Sequence, residues 1–68
     1  MPLITLNGES RQFAPSVTTL TALIAALELH GKRIAIERNG EIVPRSQHAD
    51  TALLDGDALE IVVAVGGG

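Results

Sequence analysis

Three consecutive glycines, Gly66, Gly67 and Gly68, follow the most apolar run of the sequence, residues 59–65 (Leu-Glu-Ile-Val-Val-Ala-Val). Glycine has no side chain to pack and loses the most conformational freedom when ordered, so the run adds nothing to a core. It offers instead a thin tail ending in an α-carboxylate that no Cβ shields. A carboxylate is a poor electrophile until it is converted to a mixed anhydride, and an anhydride needs an enclosing site to escape water. Only a narrow segment enters such a site, and bare glycine amides and carbonyls can bond along its walls. Recognition then falls to the folded body and reaction to the tail.

The remaining polar residues point less sharply to chemistry. Asp55, Asp57 and Glu60 resemble a paired-carboxylate site, yet Asp-Gly-Asp is ordinary turn composition. They read instead as turn formers and as an acidic rim near the tail, able to steer a basic partner surface. His30 and His48 lack carboxylates at ligand spacing, so they read as a helix-end cation and a surface loop residue, and no metal site is expected. Val62 and Val43 lie off the core parity of their strands or at a strand end, which makes each a candidate for a solvent-facing apolar patch.

Composition narrows the classes further. At 68 residues the chain is one small domain, and 46% apolar residues supply its core. It has no cysteine, so disulfides, thiolate metal sites and a nucleophilic thiol are excluded, and any sulfur chemistry must borrow its sulfur. The net charge is −3 with five Lys and Arg residues, and Phe13 is the sole aromatic; neither a phosphate-backbone binder nor a base-stacking platform is expected. Residues 1–7 lack a basic region and their apolar stretch is broken by Thr5, which predicts neither a signal peptide nor a membrane span and places the protein in the cytoplasm.

The elements that position the tail can be read from periodicity. Residues 3–6 and 9–14 flank Asn7-Gly8, a hairpin signal, and Pro15 ends the second strand. Leu20, Leu23, Ile24 and Leu27 form one apolar stripe at helical spacing, with Thr19 (or Thr18) as N-cap and Gly31 as C-cap. Residues 33–38 and 41–43 flank a second hairpin signal, Asn39-Gly40, before Pro44. A short helical turn is expected around residues 47–49. Residues 58–65 form the last strand, apolar enough to be central in its sheet. The core is predicted to join the helix stripe to Leu3, Phe13, Ile34, Ile36, Leu59, Ile61 and Val63. The result is an α+β domain over residues 1–65, a mixed four- or five-stranded sheet covered by one helix, followed by a flexible glycine tail over 66–68.

That order of elements is the ubiquitin-like β-grasp order. The stretches Asn39-Gly40-Glu41-Ile42-Val43-Pro44-Arg45-Ser46, Leu54-Asp55-Gly56-Asp57-Ala58-Leu59-Glu60-Ile61-Val62 and Ala64-Val65-Gly66-Gly67-Gly68 together closely resemble the ThiS family, the sulfur carrier proteins of thiamin biosynthesis. The resemblance implies a protein co-substrate, not an enzyme. An ATP-dependent activating enzyme would adenylate the Gly68 carboxylate, a sulfur donor protein would supply sulfur for a thiocarboxylate there, and thiazole synthase would receive it. Gly67 is the other half of the family's terminal pair. Val65, Gly66 and Gly67 would lie against the partner with the tail, while Asp57, Glu60 and Val62 are the candidate contacts on the body. No bound cofactor is implied, since the ATP belongs to the partner. The rivals are the small subunit of molybdopterin synthase, whose members tend to be longer with a proline near the tail, a ubiquitin-like protein modifier, and a β-grasp interaction module with an inert tail.

Overall fold

The computed structural model describes residues 3–29 and 31–64. Two hairpins of the same design frame the sheet: β1 (Leu3–Leu6) with β2 (Glu9–Gln12), and β3 (Ile34–Arg38) with β4 (Glu41–Val43). Asn7 and Gly8 have φ of 49° and 84°, and Asn39 and Gly40 have 52° and 88°. Positive φ at both central residues gives the turn whose twist matches that of the flanking strands, and Asn-Gly is the dipeptide that tolerates it.

β5 (Ala58–Val63) enters between the hairpins, and the sheet runs β2-β1-β5-β3-β4. β5 is parallel to β1, with Leu6 opposite Leu59, and antiparallel to β3, with Ile36 opposite Ile61. The predicted central position of the last strand is therefore observed, within a five-stranded mixed sheet. The strand ends at Val63, so the expected extension through Ala64 is not observed, and Val65 lies outside the described residues.

Helix α1 (Leu20–Ala26) covers one face. Thr19 caps it as expected: its Oγ1 accepts from the Ala22 N–H at 3.1 Å. The helix stops earlier than the apolar stripe predicts. Glu28, at φ 60°, takes the left-handed position assigned to Gly31. Its N–H donates to the Ala25 carbonyl and that of Leu29 to Ile24, the paired bonds that close a helix end. A 3-10 turn (Arg45–Gln47) stands slightly before its predicted place. The loop after it pins the helix start, with Leu20 N–H donating to Thr51 and Leu53 N–H to Thr18.

The core comprises Ile4, Leu6, Phe13, Val17, Leu20, Leu23, Ile36, Leu53, Leu59 and Ile61, with Ile24, Leu27, Ile34 and Val43 packed at its margin. Two expected members are absent from it. Leu3 is exposed because the β1 register turns Ile4 and Leu6 inward, and Val63 is exposed at the last pair of the sheet, opposite Ile34.

Candidate functional site

Among the described residues nothing covers the face of the sheet away from α1. Glu60 and Val62 both lie on it, Val62 at 63% exposure, so the position off the core parity does place this valine in solvent. Across the strands Glu60 stands opposite Glu37, and Val62 opposite Ala35. Ile42, opposite Glu37 on the other side, is also exposed. A depression of about 160 Å³, lined in part by Thr5, Glu37, Ala58 and Glu60, opens beside the hairpin turns at Gly8 and Gly40. Two carboxylates directly opposed across a sheet repel each other. Val43, the other candidate, is half-buried against the core and contributes nothing to the patch.

Asp57 does not belong to an acidic rim. It is 5% exposed, and its carboxylate closes a network: Oδ2 accepts from Arg38 Nε at 3.0 Å and from the Leu54 N–H at 2.9 Å, while Oδ1 accepts from Asn39 Nδ2 at 3.1 Å. Burial acts to raise its pKa. The hydrogen bonds from Leu54, Arg38 and Asn39, with the Arg38 charge, outweigh that and hold the carboxyl below its usual range. Asp55 is a turn former, as read, and accepts from the Leu3 N–H at 2.7 Å.

His48 is a second departure. Expected on a surface loop, it is 5% exposed and its Nε2 lies 3.1 Å from the Val43 carbonyl, to which it donates. Its ring ties the segment after the 3-10 turn to β4. His30, like Val65, Gly66, Gly67 and Gly68, lies outside the described residues.

Two asparagines brace the central strand in a way that composition did not signal beyond their turns. Asn7 Oδ1 accepts from the Ile61 N–H at 2.8 Å and its Nδ2 donates to the Ile61 carbonyl at 3.2 Å. Asn39 Oδ1 accepts from the Ala58 N–H at 2.9 Å. One amide thus fastens each end of the central strand. On the other edge, the Ala64 N–H donates to the Arg33 carbonyl at 2.8 Å, the last described tie before the glycines.

A mixed sheet gripping one helix, with its last strand central and running toward the glycines, defines a ubiquitin-like β-grasp domain. The ThiS family profile matches residues 4–68, and the chain belongs to that family. It is 35% identical to the sulfur carrier protein ThiS of Bacillus subtilis over 97% of this chain and the whole of that one. It is 48% identical over 65 residues to a thiazole synthase of Paramagnetospirillum magneticum, 96% of this chain but a fifth of that protein's length. The crystal structure of ThiS from Geobacter metallireducens superposes with a TM-score of 0.81 at 31% identity, covering 97% of this chain and 99% of that one.

Proposed function

We propose that this chain is a sulfur carrier of thiamin biosynthesis, a co-substrate whose reacting group is the α-carboxylate of Gly68. The carboxylate oxygen attacks the α-phosphorus of ATP on an activating enzyme, giving an acyl adenylate and releasing pyrophosphate. A sulfide-level nucleophile from a donor protein then attacks the acyl carbon, AMP leaves, and a thiocarboxylate remains. Thiazole synthase takes the sulfur from it. All of these steps take place in the cytoplasm, and the chain holds no cofactor of its own.

The observation that carries this reading is the central strand β5: the middle strand of a ThiS-family fold is followed in sequence, after Ala64 and Val65, by Gly66-Gly67-Gly68. The fused arrangement in the thiazole synthase relative supports the same recipient. The bare sheet face with Glu60 and Val62 is the surface on which the activating enzyme docks. In the free carrier Glu37 and Glu60 repel each other, and a basic side chain from the partner relieves that cost.

The test is intact mass after incubation with an activating enzyme, ATP and sulfide. Exchange of one oxygen for one sulfur, lost when Gly67 and Gly68 are deleted, supports the carrier. No exchange would sink it, and an isopeptide-linked adduct would identify a protein modifier instead.

A further inference from the structure

We propose that Asn7 is a positioning residue for the activation of the tail: its side-chain amide stands in for a missing strand and sets the direction in which the chain leaves the fold. The inference rests on Gly68 carrying the reacting carboxylate. β1 pairs with β5 only as far as Leu6 and Leu59. The Asn7 N–H adds one more bond, to the Leu59 carbonyl at 2.9 Å, and the backbone then turns away into β2. Without further support this edge of β5 would end two residues before Ile61. The Asn7 side chain continues it, supplying both an acceptor for the Ile61 N–H and a donor for its carbonyl. A backbone strand offers the same two groups, so Asn7 extends the ladder by one rung without a strand being there.

That rung lies three residues before Ala64. The opposite edge is held there by β3, through Ile34 opposite Val63 and the bond from Ala64 to Arg33. The two edges together fix the axis of the end of β5. Four residues span at most about 14 Å, so where and in which direction Ala64 is held bounds the positions that the carboxylate of Gly68 can reach. Displacement of a reacting atom by about 1 Å can cost up to two orders of magnitude in rate. Asn is suited to the position on two counts, since it accepts the left-handed turn, φ 49°, and carries both hydrogen-bonding groups.

The experiment compares wild type, Asn7→Gly, Asn7→Asp and Asn39→Gly in ATP–pyrophosphate exchange with the activating enzyme, well below the unfolding midpoint of each. Glycine keeps both turns accessible while deleting the amide. Asn39→Gly removes the bond to Ala58 at the far end of β5, together with that to Asp57, and so controls for lost stability. The expected result is a kcat at least about fivefold lower for Asn7→Gly with KM nearly unchanged. Asn7→Asp, which keeps the acceptor for the Ile61 N–H, should fall between. Asn39→Gly should exchange at the wild-type rate, and faster amide exchange at Ile61 should accompany the loss in Asn7→Gly alone. Wild-type kinetics in Asn7→Gly, an equal loss in Asn39→Gly, or a change confined to KM would each overturn the positioning role. If the wild type itself supports no exchange, the carrier function falls and this inference with it.

Discussion

Arg38, at the end of β3, and Asp57, just before β5, form an ion pair at 3.0 Å that locks the second hairpin to the turn before the central strand. Asp57 is the more deeply buried partner, and it also accepts from Leu54 and Asn39, so all of its acceptors serve the fold. Its lowered pKa has a defined consequence for stability. A carboxyl whose folded pKa lies below its unfolded value stabilises the protein fully above the unfolded value, near pH 4, and loses that contribution as pH falls through the folded one. Asp57→Asn should therefore lower stability at neutral pH by about 1–3 kcal/mol and flatten the dependence below about pH 4. Urea unfolding from pH 7 to pH 2 checks this. An acid limb as steep as wild type would place the titrating carboxylate elsewhere.

Glu28 should be improvable. A residue with a Cβ in the left-handed region pays about 1–2 kcal/mol, and glycine pays about 0.5–1 kcal/mol of added chain entropy instead. Glu28→Gly should accordingly raise stability by about 0.5–1 kcal/mol, whereas Glu28→Ala should not. Thermal unfolding of both variants decides; equal midpoints would mean that the helix end is under no strain.

His48→Ala should cost about 1 kcal/mol or more, since it empties a buried position and removes the imidazole bond to the Val43 carbonyl. Its exposed neighbour gives the contrast. Ser46→Ala should shift the midpoint by no more than about 0.5 kcal/mol. Matching effects at the two sites would mean that His48 is not holding β4.

Docking on the bare face predicts a separate pair of effects. Glu60→Lys should slow association with the activating enzyme and flatten its salt dependence, because an exposed charge acts mainly on encounter. Val62→Ser should speed dissociation of the complex. Neither side chain is buried, so both variants should unfold almost as wild type does. By contrast Leu59→Ala, at a position 1% exposed, should cost about 2–5 kcal/mol and report on folding alone. Stopped-flow association at two ionic strengths distinguishes these, and unchanged rates in both surface variants would move the docking site off this face.

Much of this architecture was legible because its signals are local. Asn7-Gly8, Asn39-Gly40 and Thr19 act through their own backbone neighbours, and the run from Leu59 onward is too apolar for an edge. Leu3-Ile4-Thr5-Leu6 is different, for it carries apolar residues on both faces, and only pairing with β5 decides which face turns inward. The helix stripe continues to Leu27 in sequence, but the Glu28 turn ends the helix by a geometry that glycine would have announced. The burial of Asp57 and His48 follows from partners 19 residues away in one case and from a carbonyl in the other. No spacing rule reaches a carbonyl. The role of Asn7 was hidden behind its turn, since the residue that satisfies the hairpin also bonds Ile61 at a separation of 54 positions.

The central place of β5 also governs how the chain is made. Each hairpin alone is a two-stranded ribbon, marginal in water, and what joins them is a strand that follows both in the sequence. Until Val63 has left the ribosome, β1 and β3 have no common neighbour and α1 has no finished surface to cover. The parallel contact between residues 5–6 and 58–59 closes nearly the whole chain, a costly loop that nothing earlier shortens. Folding of this domain thus waits for β5, and a truncated chain lacking that strand leaves the two hairpins without a common neighbour.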